Sequence, residues 1–272
     1  MSDDHLVSKI YLKWFQDNDS KKPFCSFHQL VKGKLQWTYP KPKDRQQICY
    51  EKGRFFPETE QIFNKSFESS WDNIINHLNQ FNFSKLQKRH NKKNLILNSH
   101  QISLLLNFIF IHYKRSKHIK EANKNHSFIL KALNEYTLKL GRELLQDEIN
   151  EFHKNVDNVF VTAPQESMKF FKKRPWLLMI NQNETPFVTS STPVLWLNEI
   201  HNLGIFTPLS PQFAIFIPLA WGKEKSGIVI EHINEANTKK FNYLLKEASI
   251  KDLGDNPILI SNKKEALMNL IS

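Results

Sequence analysis

Trp176-Leu177-Leu178-Met179-Ile180 decides the fold class. Five consecutive apolar residues, preceded by Pro175 and followed by the polar run Asn181 to Thr185, are too short for a buried helix and read as a strand covered on both faces. Downstream the same texture recurs. Phe187-Val188-Thr189, Pro193 to Trp196, Phe213 to Ile217, Ile228 to Ile233 and Pro257 to Ile260 all read as strands, with one helix over Ala236 to Ala248. Val159-Phe160-Val161 opens this strand-rich region.

Upstream the period changes from two to that of a helix. Phe63, Phe67, Trp71, Ile74, Ile75 and Leu78 share one face of a helix over Glu58 to Leu78. Ser99 is the N-cap of a second helix running to Lys117, apolar all round from Leu104 to Ile111 and so central in its fold. A third runs from Ser127 to His153, with a bend at Gly141. Ahead of these, Leu35 to Tyr39 alternates as a strand and pairs with Gln47 to Tyr50 in a hairpin. Leu6 to Phe15 is a short buried segment of mixed spacing. The expectation is α+β: a helical N-terminal half with a small β-hairpin, packed against a mainly antiparallel sheet from the C-terminal half. With no Gly/Ser/Pro linker and no repeat, residues 1–272 read as one domain, helical over 55–155 and strand-rich over 157–262.

Composition narrows the function classes. At 272 residues, 40% hydrophobic and with 21 Phe, the chain is no disordered polymer. Seven glycines, with no Walker loop and no Gly-x-Gly-x-x-Gly, argue against phosphate-cradling nucleotide folds. No apolar run reaches the ~18 residues of a membrane span, and Met1-Ser2-Asp3-Asp4-His5 lacks a signal-peptide pattern. The expected setting is soluble and cytoplasmic, away from membranes. Cys25 and Cys49 fit two reduced thiols better than a zinc site or a disulfide.

The net charge is +11 and the isoelectric point about 9.5. Residues 1–160 carry +9 of that. Between Lys85 and Asn125 ten cations face the single acid Glu121. Such a window attracts polyanions, and Lys88, Arg89, Lys92, Lys93, Lys114, Lys117, His118 and Lys120 are the candidate nucleic-acid contacts. Against this, Lys outnumbers Arg 32 to 6, so the planar fork that grips phosphate is scarce. A solvated basic helix end explains Arg115-Ser116-Lys117-His118 better than a ribonuclease-like Arg–His pairing does.

Several segments, in order, resemble a bacterial family of unknown function (domain of unknown function 4238). His5-Leu6-Val7-Ser8-Lys9-Ile10-Tyr11-Leu12-Lys13-Trp14-Phe15 resembles its opening His-x-Val-Pro-x-x-Tyr-Leu-x-x-Phe, with Ser8 in place of the proline. Phe67-Glu68, the Phe-rich run ending Tyr113-Lys114-Arg115-Ser116, Phe187 to Val194, Pro208-Leu209-Ser210-Pro211 and Ile233-Asn234 are similar to later blocks. Ser191 stands where the family usually has Asp. As a turn cap the exchange is mild; as a catalytic carboxylate it is a loss that Glu68 would have to cover.

The family carries no settled activity, so roles come from chemistry. His5, Glu68, Arg115 and Ser190 are the candidate catalytic set: an imidazole, a carboxylate, a guanidinium and a hydroxyl suffice for phosphodiester cleavage, with or without Mg²⁺ or Mn²⁺. A buried Glu68–Arg115 pair with His5 beside it would demand the same residue types for structural reasons. The expected function is therefore a nucleic-acid-binding effector, RNA before DNA, with nuclease activity of the kind carried by bacterial defence or toxin modules. The alternatives are a module docking an acidic protein, and a nucleotide-sensing pocket where Thr189-Ser190 and Ser210 meet the helices.

Overall fold

A computed structural model of the chain describes residues 3–5, 7–48, 50–52, 70–81, 83, 96–115, 127–150, 165–197, 204–219, 227–251 and 257–272. It is α+β, with two mostly antiparallel sheets. The first is built from β6 (Pro175–Asn181), β8 (Leu195–Leu197), β9 (Gly204–Pro208), β10 (Phe213–Pro218) and β11 (Gly227–Ile233), in the order β11-β6-β10-β9-β8. Among the described strands only β6–β11 is a parallel pair.

All seven residues of β6 are buried, as its unbroken apolar run requires. Trp176, Leu178 and Ile180 join one core cluster, while Leu177 and Met179 join another on the opposite face. β10 divides the same way, Ile215 and Ile217 against Ala214 and Phe216. On the first face lie α1 (Lys9–Lys13), α2 (70–80) and α3 (Ser99–Arg115). The second face takes α7 (Glu235–Lys251), whose Phe241 stacks on Phe206 at 4.4 Å. Sealing each large apolar side chain contributes roughly 1.5–3 kcal/mol, and this alternation lets one strand supply two cores.

α3 is central, with Leu104, Leu105, Leu106 and Phe108 to Ile111 buried. Its cap is Asn98 rather than Ser99. Asn98 Oδ1 accepts from the Gln101 N–H at 2.9 Å and Gln101 Oε1 accepts from the Asn98 N–H at 2.8 Å, a reciprocal capping box. The helix expected over Ser127 to His153 is two: α4 (Ser127–Leu140) and α5 (146–150). Gly141, at φ +64°, takes the left-handed conformation that ends α4. α6 (Gln165–Lys172) follows.

The second sheet corrects the expected segregation of helices and strands into halves. β2 (Phe24–Val31), β3 (Lys34–Trp37) and β4 (Lys41–Pro42) come from the N-terminal part; β7 (Thr189–Ser190) and β12 (Ile258–Ser261) come from the C-terminal part, in the order β3-β2-β12-β7 with β4 also on β2. α8 (Lys264–Ile271) packs Ala266 and Leu267 against Leu259 and Val188. The hairpin partner of the strand at Leu35 is thus β2, upstream, not Gln47 to Tyr50. Residues Arg45–Gln47 form a 3-10 turn, and β5 (Tyr50–Lys52) pairs instead with β1 (Asp3–His5). Cys25, on one face of β2, enters the main core while Phe24, on the other, packs toward α8. With both faces covered near its start, β2 shows no clean alternation.

The segment 159–161 and residues 58–69 of the first expected helix lie outside the described residues. Among the described residues no helix is long and apolar enough to cross a membrane.

Candidate functional site

The segments that carry the family resemblance meet at Tyr11. Its hydroxyl donates to Pro208 O at 2.8 Å and lies 2.7 Å from Thr189 Oγ1. A phenol has one proton, so Thr189 is the donor in the second bond. The ring packs on Phe108 at 4.9 Å, Phe15 at 5.2 Å and the edge of Trp71 at 5.5 Å, with His112 at 6.3 Å. All six partners are buried or nearly so. The N-terminal block, the Phe-rich helix, the Thr-Ser strand and the Pro-Leu-Ser-Pro turn therefore share one sealed node, which serves the framework rather than a substrate.

Ser190 lies beside that node and is fully buried. Its Oγ donates to Thr192 O at 2.9 Å and accepts from the Thr192 N–H at 3.1 Å, a turn-forming arrangement. The Ser191 N–H donates to Ile258 O at 3.0 Å, and Ser191 Oγ accepts from the Ile258 N–H at 3.3 Å, holding β12. His5 sits in β1 opposite Tyr50, and Arg115 ends α3. The side chains of His5, Lys114 and Arg115, and Glu68, Lys88, Arg89, Lys92, Lys93, Lys117, His118 and Lys120 altogether, lie outside the described residues. Among the described residues no group of three or more His, Cys, Asp or Glu could hold a metal ion.

What the sequence reading missed is a second basic stretch. From Ser20 to Arg45 seven cations face one acid, Asp44, with Phe27, Trp37 and Tyr39 interspersed. Folded as β2–β4, they interleave rings and charges. Lys43 Nζ stands 5.6 Å from the Phe27 ring centre, and Lys264 Nζ reaches over Tyr39 at 4.2 Å. His28 stacks on Trp37 at 5.0 Å. Tyr39, Leu30 and Leu35 are exposed, and Lys22 pairs with Asp44 at 3.0 Å. The signal was present as a local charge excess but was overshadowed by the denser window after Lys85.

Next to this strip, turns from both sheets and the ends of α1 and α2 enclose a cleft. Two adjoining lobes, about 490 and 320 Å³, share Asn79, Asn181, Gln182 and Gln212. Its walls are rich in side-chain amides, including those of the Asn181 to Glu184 turn and Gln212 after the Pro-Leu-Ser-Pro block. Asn181 and Asn183 are committed to the scaffold: Asn181 Nδ2 donates to Thr185 O at 2.9 Å, and Asn183 Nδ2 to Asn181 Oδ1 and Ile233 O, both at 2.9 Å. Behind them Thr185 Oγ1 donates to Glu235 Oε1, the chief reason the Glu235 carboxyl is held below its ordinary range.

No curated protein and no solved structure matched the chain. A family model described as protein of unknown function (DUF4238) matches residues 4–253, nearly the whole length, and the protein belongs to that family.

Proposed function

We propose that the protein binds single-stranded nucleic acid, RNA before DNA, on the β2–β4 ribbon. The observation that carries this is the pairing of lysines with rings on both sides of the ribbon, Lys43 over Phe27 on the side of Cys25 and Lys264 over Tyr39 on the side of α8, with Lys34 and Lys41 exposed on β3 and β4 and Lys32 in the turn between β2 and β3. Single strands are held by cations along the phosphates and by rings on which unpaired bases stack. RNA is put before DNA because the bases of RNA are read mostly in its unpaired loops, bulges and ends. Cleavage of the bound strand would rest on His5, Glu68 and Arg115, and the same experiment reads it.

The test is titration of labelled 12-nucleotide RNA and DNA strands by fluorescence anisotropy from ~50 to ~200 mM salt, with and without Mg²⁺ or Mn²⁺, followed by a gel for cleavage. The expected result is an affinity that falls linearly on a log–log plot, by about 0.7 per phosphate contact. Lys41→Glu with Lys264→Glu should flatten that slope. No salt-sensitive binding near ~0.1 M would falsify the reading. Stoichiometric co-purification of an acidic protein that RNA fails to displace would replace it with protein docking.

A further inference from the structure

We infer that the amide-lined cleft beside the basic strip receives one unstacked, uncharged nucleobase of the bound strand; this rests on the nucleic-acid reading above. Four observations lead there.

The first is chemical. Gln16 and Asn262 line the cleft, and Gln16 Oε1 and Asn262 Oδ1 are buried beneath its surface without a hydrogen-bond partner. Buried acceptors without donors are rare in folded proteins. A turn of either side chain into the cleft would let a ligand presenting N–H groups satisfy it. The amides of Gln182 and Gln212 each offer a donor and an acceptor, the combination that pairs two-pronged with the edge of a base.

The second is charge. Among the described residues Glu184 and Lys263 are the charged ones on these walls, one of each sign, and Lys263 Nζ donates one of its three N–H bonds to Glu184 O at 3.0 Å. The walls are thus charge-balanced, which suits a neutral occupant.

The third is shape. Phe81 and Phe83 line one lobe and Trp14 the other, which supplies flat apolar surface beside the amides. Bases splayed out of a strand are held by that pairing of ring and edge.

The fourth is position. Ser261 lies opposite Phe24, and Phe24 opposite Pro42, so Asn262 and Lys263 leave β12 beside Lys22 and Lys43. The Lys43 N–H donates to Pro23 O at 3.0 Å, which extends the β2–β4 pairing to the end of the strip nearest Asn262. A strand whose phosphates follow the lysines passes the opening.

The experiment compares a 12-nucleotide RNA with an abasic strand of equal length by anisotropy, alongside thermal shift with the four nucleosides and with a neutral trisaccharide. The expected result is binding of the base-bearing strand at least about tenfold tighter than the abasic one, with a raised midpoint for at least one nucleoside. Gln182→Leu with Gln212→Leu should narrow the difference about tenfold and leave the salt slope unchanged. A difference that persists undiminished in that double variant overturns the inference while the nucleic-acid reading stands. A midpoint raised by the trisaccharide and by no nucleoside overturns it in favour of a carbohydrate site. Absence of salt-sensitive binding to both strands removes the nucleic-acid reading itself, and this inference with it.

Discussion

The Tyr11 hydroxyl and Thr189 Oγ1 stand 2.7 Å apart across 178 residues of chain. Through the same oxygen Tyr11 reaches Pro208 O, so a five-residue helix is pinned to both sheets at once. α1 is too short to be stable alone. Its place depends on this contact and on the rings of Phe15, Trp71 and Phe108 around it.

Tyr11→Phe should therefore keep the packing and lose the bonds. The cost expected is about 1–3 kcal/mol, because Pro208 O and the Thr189 hydroxyl are left buried with one partner fewer. Urea unfolding should show a lower midpoint with an unchanged slope. Thr189→Val alone should also destabilise, and the double variant should cost less than the two added together, since each removes the other's partner.

The parts of the fold that were legible in sequence share one property: their environment is uniform along the element. β6 is covered on both faces throughout and α3 is buried all round, so their apolar runs are unbroken. β2 was not legible. Its start lies between two cores while Gln29 and Leu30 face solvent, so no single period describes it. β9 escaped because Gly204, Thr207 and Pro208 dilute Ile205 and Phe206, although all five are buried. The cleft was equally silent, since amides scattered over residues 16–18, 79–80, 181–183, 212 and 262 become neighbours only through helix packing and strand register. Ser190 was legible as a motif residue, but its burial was set by β12 pairing from the far end of the chain.

Gly204 is a site where a single methyl group should matter. A Cβ there would stand 2.6 Å from the Phe216 ring and 2.7 Å from Ile217 O. The ring has room to turn only into its own core, and the carbonyl belongs to a strand held by the β9–β10 ladder. Gly204→Ala should cost about 1–3 kcal/mol through overpacking. The thermal midpoint reads this directly, and an unchanged midpoint would show that β9 and β10 separate more easily than their register implies.

Cys25 should be inert in the folded protein. Burial pushes its thiol far above the ordinary range, only partly offset by the Lys43 ammonium. The thiolate is the reactive form, so alkylation at pH 8 should leave Cys25 unmodified in peptide-resolved mass spectra. Denaturant should release it in step with global unfolding. Rapid labelling under native conditions would mean that β2 opens independently of the core.

Glu148 offers a check on surface electrostatics with a defined sign. Its carboxylate accepts from both Arg142 amino groups, at 2.6 and 2.8 Å, and from the Leu145 N–H at 2.8 Å. Those bonds, the Arg142 side-chain ones first, lower its pKa to about 2. A carboxyl depressed on folding contributes stability above its unfolded pKa and loses it as pH falls through the folded one. The stability difference between the protein and Glu148→Gln should thus be full above pH ~4.5 and vanish toward pH ~2. It should also be small, since the pair is solvent-exposed. Arg142→Gln should return the Glu148 midpoint, followed by NMR, toward the ordinary carboxylate range.

Ser191 decides between two meanings of the position at which the family resemblance implies Asp. The Ser191 hydroxyl accepts from the Ile258 N–H at 3.3 Å while its own N–H donates to Ile258 O at 3.0 Å, so the residue ties the end of β7 to the start of β12. That is a backbone-capping task, which a carboxylate also performs. On this account Ser191→Asp should stay folded, with stability changed by less than about 1 kcal/mol, and Ser191→Ala should lose about 1 kcal/mol because the Ile258 N–H is left without its acceptor. Nucleic-acid binding should be the same in all three proteins. A carboxylate with a chemical task behaves differently: Ser191→Asp would then gain cleavage of the RNA strand in the presence of Mg²⁺ or Mn²⁺, whatever happened to its stability. Unfolding curves and a cleavage gel on the same three preparations separate the two, because capping acts on the midpoint and catalysis acts on the product band.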